Sequence, residues 1–337
     1  MIQELIAILA EKRDLTREQA AHAMRVLMSG EVSAALMSAF LIGLRMKGET
    51  IEEITGFAET MRQLATPVHT SRRPLVDTCS TGGDRSDSFN ISTTAAFVAA
   101  GADLAVAKHG NRGATRKCGS ADVLEALGVN IDASAEVVGN SLDSIGIGFL
   151  FARKLHAAMK YVAPVRQELR LRTVFNILGP LTNPAPVTGQ VVGVFDARLT
   201  EPLARVLANL GIARAMVVSG SDGLSELTLG GPTRVAEASK GQVRVSEITP
   251  EHVRLPRAAK EALRGGDATS NARMLRAVLE GESGPRRDVV LLNAAAALLV
   301  GERASDWKEG VEMARRSIDS GAARDKLDAL VKRSHDS

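Results

Sequence analysis

The stretch that decides the fold runs from Asp77 to Asp122 and reads DTCSTGGDRSDSFNISTTAAFVAAGADLAVAKHGNRGATRKCGSAD. A short apolar run at 75–76 leads into it, and a Gly-Gly-Asp turn follows at 82–84. After that turn, the segment 90–93 (NIST) opens an alanine-rich stretch with a helical pattern. This first half therefore predicts a strand, a glycine turn and a helix.

The second half of the stretch repeats this order. An apolar run at 104–107 ends in the basic segment 108–112 (KHGNR), and Gly119-Ser120 starts another helical pattern. Strand, turn and helix units that follow one another in this way build a parallel sheet whose loops meet at one edge. The stretch therefore predicts a parallel α/β unit with the glycine turn and the basic segment side by side.

The loops of this unit carry residues that suit anions. Glycine lets backbone N–H groups approach a ligand closely, and a helix N-terminus presents unpaired donors with a partial positive charge. Further donors in the same loops are Ser88, Ser92, Thr93 and Ser120, with the basic residues Lys108, Arg112, Arg116 and Lys117. Either turn alone also fits an ordinary βα connection, but the two together predict a site for anionic oxygens, above all phosphates.

Composition limits the class of protein. The 337 residues allow one large domain or two of ordinary size, and 45% hydrophobic with 24% charged residues is typical of a globular chain. A net charge of +3, no long basic tract and only 3% aromatic residues argue against nucleic acid as a partner. The apolar stretches are too short to span a bilayer and no leader pattern opens the chain, so we expect a soluble cytoplasmic protein without membrane contacts.

The chain has two cysteines, Cys79 and Cys118. They are too few for a disulfide framework or a zinc site. Both lie near the predicted anion loops, where a small side chain tolerated in a tight turn is favoured over a redox role.

The N-terminal segment, up to about residue 66, is helical by every local sign. Thr16 and Thr50 each stand three residues before a Gln or Glu, which is the spacing of a capping box. Gly30 and Gly48 stand where helices should end. Apolar residues recur at helical spacing and no strand pattern is present, so the sequence predicts a small all-helical N-terminal domain.

After a linker at 67–74, the chain alternates between strands and helices. The patterns predict helix 134–145, strand 148–151, helix 156–166 broken at Pro164, strand 191–195, helix 199–210, strand 215–219, further strands of antiparallel type within 232–248, and a buried helix 289–300. We therefore expect an α/β protein. It should have a small all-helical N-terminal domain and a larger α/β domain, with a mostly parallel central sheet and helices on both faces.

Two further groups of residues could carry chemistry. The segment 221–226 (SDGLSE) follows an apolar run, and ligands of open α/β sheets bind at the carboxyl ends of strands. Its carboxylates could hold Mg²⁺, which prefers oxygen ligands, although a plain acidic turn has the same pattern. His156 and Arg166 form the other group, because a guanidinium can bind a carboxylate through two hydrogen bonds. Solvated surface residues explain that pair equally well.

Several enzyme classes find no support in the sequence. His109 is accompanied by no nucleophile-elbow serine and no triad pattern, which argues against a hydrolase. The turn 82–84 lacks the Gly-Lys-Ser/Thr ending of a Walker loop and is not a GxGxxG motif. ATPase and dehydrogenase functions are therefore not indicated.

The central stretch also resembles a known family. STGGD…SFNIST and KHGNR…GSADVLEALGV are similar to signatures of the anthranilate phosphoribosyltransferases, the tryptophan-pathway members of the nucleoside phosphorylase-like transferases. The similarity continues through HAAMKYVAPVRQELRLRTVFNILGPLTNPA and GGDATSNARMLRAVLEGE to RRDVVLLNAAAALLV. It implies an enzyme that joins anthranilate to phosphoribosyl pyrophosphate (PRPP), giving N-(5-phosphoribosyl)anthranilate and pyrophosphate.

The resemblance implies an architecture and an assembly. Proteins of this kind have a helical domain and a larger α/β domain with the active site in the cleft between them, and they form homodimers through the helical domain. A central segment returns to the helical domain. We therefore expect a helical domain at 1–70 with 163–186, and an α/β domain at 71–162 with 187–337.

The resemblance also implies roles for individual residues. Those placed around PRPP are Ser80, Gly83, Asp84, Ser88, Asn90, Ile91, Ser92, Thr93, Lys108, Arg116 and Ser120. Those placed around anthranilate are Ser80, Asn111, His156 and Arg166, with Arg166 on the carboxylate. The residues placed around Mg²⁺ are Ser92 and Glu226, with Ser225 at the position of a second carboxylate. No dedicated base is implied, because the aromatic amine is already neutral and positioning with charge stabilisation supplies the rate.

Three departures from the family pattern bear on this site. Ser80 replaces the first glycine of GTGGD, which adds a side chain where the backbone approaches the ligands. Arg116 and Cys118 stand where serines are usual, which changes the charge of the phosphate loop. Ser225 replaces the aspartate of an Asp-Glu pair, which removes one carboxylate, so we expect weaker metal binding.

Two other functions stay open on the sequence. One is a transferase or nucleoside phosphorylase of the same fold that acts on another aromatic amine or base. The other is a catalytically weak homologue that binds nucleic acid. The match of Asn111, His156 and Arg166 to anthranilate contacts argues against the first, and modest charge with scarce aromatic residues argues against the second.

Overall fold

The computed structural model describes residues 2–84, 86–113 and 117–336. The chain begins with helices α1 (Ile2–Ala10), α2 (Arg17–Ser29), α3 (Ala34–Lys47) and α4 (Ile51–Leu64). The hydroxyls of Thr16 and Thr50 each accept a hydrogen bond from the backbone N–H three residues on, at 3.2 Å, and both capping boxes are complete. Gly30 ends α2 with a φ of +84°, a conformation that favours glycine. The predicted helical N-terminal domain is confirmed.

A central sheet follows the helical part. Its strands are β1 (Leu75–Ser80), β2 (Ala105–Gly110), β3 (Ile147–Phe151), β4 (Gly189–Gly193), β5 (Arg214–Gly220), β6 (Thr233–Ser239) and β7 (Gln242–Ile248). Within the described residues they form one sheet in the order β3-β2-β1-β4-β5-β6-β7. The pairs from β3 to β5 are parallel, and β6 and β7 add an antiparallel hairpin at one edge. The mostly parallel sheet is confirmed, as are the antiparallel strands within 232–248.

Helices cover both faces of the sheet. They are α5 (Ile91–Gly101), α6 (Ser120–Ala126), α7 (Ala135–Ile145), α8 (Ala152–Leu155), α9 (Ala163–Leu169), α10 (Phe175–Leu178), α11 (Thr200–Asn209), α12 (Ala268–Leu279), α13 (Pro285–Val300), α14 (Trp307–Asp319) and α15 (Ala322–Arg333). Val76 belongs to the hydrophobic cluster of α5 and α13, whereas its neighbour Leu75 belongs to the cluster of the N-terminal helices. Successive strand residues point to opposite faces, so each cluster lies on one side of the sheet. Every residue of 289–300 in α13 is buried, as predicted.

Two details of the sequence prediction were wrong. Pro164 does not break a helix running from 156 to 166, because a 3₁₀ turn (Ala157–Tyr161) precedes α9 and the proline lies in the first turn of α9. The first turn needs no intrahelical N–H, so proline is tolerated there. Lys108 and His109 do not lie in a loop, because β2 extends to Gly110 and buries both between β1 and β3.

The segment after α8 runs back to the N-terminal helices. Helix α9 contacts α3, and α10 contacts α4. Nε of Arg62, in α4, donates a hydrogen bond to the carbonyl of Leu181 at 2.7 Å. These contacts support the predicted return of 163–186 to the helical part, and the domain boundaries themselves stay a prediction. In the described ranges, no helix combines the length and the apolar character needed to cross a membrane.

Candidate active site

A cleft of about 260 Å³ opens at the carboxyl ends of the parallel strands. The strand order reverses between β1, which pairs with β2, and β4, which continues in the other direction. Crevices at such reversals are where open α/β sheets bind ligands. Of the residues predicted from the sequence, the cleft is lined by Ser80, Asn90, Ser92, Thr93, Lys108, Asn111, Ser120, Arg166 and Glu226.

The glycine turn after β1 forms one wall of the cleft. Gly82 and Gly83 have φ values of +62° and +77°, which glycine adopts without strain. Nη2 of Arg172 donates a hydrogen bond to the carbonyl of Gly83 at 2.5 Å, and the same guanidinium lies 3.9 Å from the ring centroid of Phe195. Arg172, which lies in the segment 163–186 that returns to the helical part, therefore holds the turn in place.

The N-terminus of α5 points into the cleft. Ser92 and Thr93 lie in its first turn, where backbone N–H groups have no intrahelical partner. Hydroxyls and free N–H groups at a helix N-terminus suit an anion, because the helix dipole adds a partial positive charge there. The segment NIST therefore has the local structure that its pattern predicted.

Two buried ionisable residues, Lys108 and Asp77, lie behind these loops. Nζ of Lys108 donates to the carbonyl of Thr78 at 2.6 Å and lies 3.5 Å from Oγ of Ser92. Asp77, in β1, accepts hydrogen bonds from N–H of His109 at 3.1 Å and from Nε2 of Gln190 at 3.3 Å. Burial lowers the pKa of Lys108 and raises that of Asp77, and the attraction between the two opposes both shifts. The amine of Lys108 therefore lies beside the first turn of α5.

The loop after β2 is tied to α6. N–H of Asn111 donates to Oγ of Ser120 at 3.1 Å, and a Cβ on Gly110 would lie only 2.1 Å from that oxygen. Nη1 of Arg112 pairs with Asp122 at 2.9 Å and with Glu125 at 2.7 Å. The hydrogen bonds to these carboxylates raise the pKa of Arg112. Arg112, counted above among the anion-binding residues, thus has its charge balanced by two acids of α6.

The acidic segment after β5 contributes two neighbouring side chains in different ways. Ser225 donates to Oδ2 of Asp84 through its Oγ at 2.8 Å and through its N–H at 2.9 Å. Glu226 is buried and lines the cleft together with Ser92. Ser225 therefore connects this segment to the glycine turn, and Glu226 supplies the carboxylate beside the helix N-terminus.

The oxygen donors fit a magnesium ion. Ser92 and Glu226 both line the cleft, and no group of three or more His, Cys, Asp or Glu side chains that could hold a metal occurs in the part of the chain that the structure describes. Mg²⁺ is usually held by one or two carboxylates, with water and substrate phosphates as its other ligands. The donor set therefore fits Mg²⁺ bound with a phosphorylated substrate better than a closed protein site.

Arg166 supplies a cation on the opposite wall. Its guanidinium lies 5.3 Å from the ring centroid of Phe175, and among the described residues no carboxylate pairs with it. Burial lowers its pKa, but an arginine remains charged at neutral pH. Arg166 can therefore receive an anionic group from a ligand.

Two histidines lie next to each other beside the cleft, His109 in β2 and His156 directly after α8. The rings of His109 and His156 have centroids 5.2 Å apart, and both residues are buried. Burial lowers the pKa of His156 to about 4, and burial with the nearby His156 lowers that of His109 well below its ordinary value. Both rings are therefore neutral at neutral pH. His109 lines the cleft, and His156 lies behind it.

The other predicted residues have different positions. Ser88 lines an adjoining pocket of about 220 Å³ with Lys117 and Arg264, and Ile91 packs in the hydrophobic core. Gly83, Asp84 and Ser225 are not among the lining residues: Gly83 accepts from Arg172, and Ser225 donates to Asp84. Arg116, predicted at the phosphate loop, lies outside the described residues.

Sequence reasoning missed part of the lining. Phe175, Asn176, Gly179 and Pro180 face the cleft from the segment after α9. Their only sequence signal was the glycine and proline turn, which predicts a rigid loop without saying where it lies. Cys118 also lines the cleft, and burial raises the pKa of its thiol to about 11, which keeps it protonated.

Comparisons with known proteins cover almost the whole chain. Residues 3–65 match the family described as "Glycosyl transferase family, helical bundle domain", and residues 72–324 match "Glycosyl transferase family, a/b domain". The anthranilate phosphoribosyltransferase of Symbiobacterium thermophilum is 56% identical over 334 residues, which are 99% of this chain and 98% of that protein.

Solved structures are similar over the same length. The crystal structure of anthranilate phosphoribosyltransferase from Thermus thermophilus matches with a TM-score of 0.94 and 46% identity, covering 98% of this chain and 99% of the other. The enzyme from Saccharomyces cerevisiae, in complex with PRPP and Mg, matches with a TM-score of 0.90 and 26% identity, covering 99% and 97%.

Proposed function

The chain belongs to the anthranilate phosphoribosyltransferase family of glycosyl transferases, and we propose that it transfers the phosphoribosyl group of PRPP to anthranilate, releasing pyrophosphate. One observation supports this function above others. A single cleft has donors for phosphate on one wall, at the N-terminus of α5 and Lys108, and an arginine without a carboxylate partner among the described residues on the other wall. A phosphorylated donor and a carboxylate-bearing acceptor would meet between them.

The donor wall explains how the chain would hold PRPP. The first-turn N–H groups of α5, the hydroxyls of Ser92 and Thr93, and Nζ of Lys108 all lie where anionic oxygens can accept hydrogen bonds. These donors are fixed by the fold before a ligand arrives. They can stabilise the negative charge that develops on pyrophosphate as its bond to the ribose breaks.

We propose that Mg²⁺ binds with PRPP at Ser92 and Glu226. The ion, when bound, would neutralise the charge that develops on pyrophosphate. The proposed set does not include Ser225, whose hydroxyl donates a hydrogen bond to Asp84. The serine in place of a second carboxylate supports a weaker hold on the metal than an Asp-Glu pair would have.

The acceptor wall would orient anthranilate. Arg166 can bind its carboxylate through two parallel hydrogen bonds, and Asn111, after β2, offers an amide that also lines the cleft. Departure of pyrophosphate leaves positive charge on the ribose carbon, which the neutral amine then attacks. His109 and His156 carry no charge at neutral pH, so they do not repel that centre. Positioning, without a dedicated base, would supply much of the rate.

We further propose that the protein forms a homodimer through its helical domain, with residues 163–186 as part of that domain. The family resemblance carries this proposal; Met46 of α3 and Leu64 of α4 are large apolar side chains exposed on these helices, at 78% and 44%. Sedimentation velocity tests it, and a monomer at working concentrations would contradict it. A cytoplasmic location stays a prediction from the sequence.

The loss of anthranilate fluorescence on adding PRPP, measured across a Mg²⁺ series, tests the function directly. We expect a rapid loss that requires Mg²⁺. Arg166→Ala should raise KM for anthranilate roughly tenfold or more and leave KM for PRPP nearly unchanged, since a hydrogen-bonded charge pair is lost from one substrate only. Arg170→Ala, which removes an exposed arginine four residues along the same segment, is the matched control.

The outcomes separate the alternatives. No loss of fluorescence at any Mg²⁺ concentration, with folded protein, would contradict the proposed reaction and leave another aromatic amine or base as the acceptor. Equal effects of Arg166→Ala on both substrates would contradict the proposed position of anthranilate.

A further inference from the structure

Asn90 is held in an unusual way for its position. It stands at the N-terminus of α5, where asparagine ordinarily caps the helix through its side chain, yet its side chain makes no capping bond within the described residues. Its Oδ1 instead accepts hydrogen bonds from Nδ2 of Asn271 at 2.9 Å and from Sγ of Cys118 at 3.5 Å. The orientation of this amide is therefore set by residues outside α5.

Asn271 is itself fixed. It is 2% exposed, lies in the first turn of α12, and its Oδ1 accepts a hydrogen bond from N–H of Gly266 at 2.7 Å. If its amide were turned over, Nδ2 would face a donor and Oδ1 would face the oxygen of Asn90. Both contacts would become repulsive, so Asn271 has one orientation, with Nδ2 directed at Asn90.

The segment before α12 joins Asn271 to residues 87–89, which lead into α5. N–H of Phe89 donates to the carbonyl of Leu263 at 2.9 Å, and N–H of Gly265 donates to the carbonyl of Asp87 at 2.7 Å. A Cβ on Gly265 would lie 2.6 Å from Oδ1 of Asn271 and 2.9 Å from the backbone of Phe89, so only glycine fits. The loop and the start of α12 thus form one packed unit.

We propose that Asn271 is a positioning residue that turns the amide of Asn90 so that its nitrogen faces the ligand. With Oδ1 of Asn90 occupied by two donors, Nδ2 is the end left for the cleft, and its one contact among the described residues is a long bond of 3.5 Å to the carbonyl of Cys118. A donor suits an anionic oxygen, whereas an amide oxygen turned the same way would repel it. This inference rests on the proposed function, because PRPP is the anion concerned.

The test is Asn271→Asp, a change of nearly equal shape. The new carboxylate still accepts from Gly266 but cannot donate to Asn90, whose Nδ2 would turn toward it and leave Oδ1 facing the cleft. We expect the Kd for PRPP, measured by calorimetry with Mg²⁺, and the KM for PRPP to rise roughly ten- to a hundredfold. The KM for anthranilate should change by less than about twofold, because Asn90 does not lie on the Arg166 wall.

A pH series adds a reading that a merely structural role would not give. Burial raises the pKa of a carboxyl group, and the protonated carboxyl can again donate to Asn90. The PRPP defect of Asn271→Asp, relative to the unchanged protein, should therefore shrink between about pH 8 and about pH 6. Asn271→Ala, which cannot regain a donor, should show a smaller defect with no such recovery, and it carries the test if the aspartate variant does not fold.

Ser317→Ala is the matched control. Its hydroxyl is buried and donates to the carbonyl of Val98 at 2.8 Å, so the change removes a hydrogen bond to the other end of α5. We expect its PRPP affinity to be unchanged. Unchanged PRPP affinity in both Asn271 variants, or an equal loss in Ser317→Ala, would overturn the inference. If the protein without substitutions binds PRPP but does not transfer its phosphoribosyl group to anthranilate, only the proposed reaction is refuted. The role of Asn271 in PRPP binding can still be tested, because calorimetry needs no turnover.

Discussion

Replacing Ser225 by aspartate should turn a hydrogen bond into a repulsion. Ser225 is fully buried, and its Oγ lies 2.8 Å from Oδ2 of Asp84. An aspartate in that space would bring a second carboxylate within about 4 Å of the first. Two unit charges at that distance repel by about 4 kcal/mol at an effective dielectric constant of about 20.

Protonation of one of the two carboxyl groups would remove the repulsion, so the free-energy cost of that protonation limits the loss of stability to a similar value. Keeping a carboxyl group of ordinary pKa, about 3.9, protonated at pH 7 costs about 4 kcal/mol. We therefore expect Ser225→Asp to lower the free energy of unfolding at pH 7 by up to about 4 kcal/mol. Because repulsion raises the pKa in the folded state, this deficit is present above the raised pKa and shrinks as the pH falls through it.

Urea unfolding at about pH 7 and about pH 5, with and without Mg²⁺, measures this effect. Ser225→Asn has the shape of the aspartate without its charge and isolates the cost of packing. Mg²⁺ should restore part of the deficit in Ser225→Asp alone, because a divalent cation removes the repulsion. Equal stability of the two variants at pH 7 would refute the reasoning from charge. Identical Mg²⁺ dependence of activity in Ser225→Asp and the unchanged protein would contradict the expectation that the serine weakens metal binding.

Two further variants probe the cleft walls. Arg172→Ala removes the hydrogen bond to Gly83 and the contact with Phe195, so KM for PRPP should rise roughly fivefold or more with a smaller change in kcat; an equal rise in the control Arg170→Ala would argue against this role. His156 has a folded-state pKa of about 4 against an ordinary 6.5, so the folded protein should lose about 3 kcal/mol of stability as the pH falls from about 6.5 to about 4. Urea unfolding of His156→Asn should show a smaller loss over that range, and a parallel loss in both proteins would rule this explanation out.

Local patterns were enough to predict much of the fold. The capping boxes at Thr16 and Thr50, the NIST segment at the start of α5 and the apolar run of α13 are each encoded within a few residues. Such signals depend on hydrogen bonds and periodicity along one element, so they can be recognised without knowing how the rest of the chain folds. The predicted strand ended before Lys108, because charged residues ordinarily end an apolar run. In the structure β2 continues through Lys108, and the attraction of Asp77 opposes the effect of burial on its pKa.

The long-range contacts that complete the site could not be predicted from such local patterns. Asn271 meets Asn90 across 181 residues of sequence, Ser225 meets Asp84 across 141, and Arg172 meets Gly83 across 89. Each is a polar residue whose own neighbourhood gives no sign of its partner. The packing of distant helices, strands and loops brings these residues together, and no spacing rule in the sequence predicts the pairs.

The two walls of the cleft have separate supports. The phosphate-type donors are built into β1, β2 and α5, whereas Arg166 and Phe175 are carried by the returning segment that rests on α3 and α4. The donor groups and Arg166 are therefore held in place by different parts of the fold. Substitutions in that segment would change the Arg166 wall without altering the donors of β1, β2 and α5.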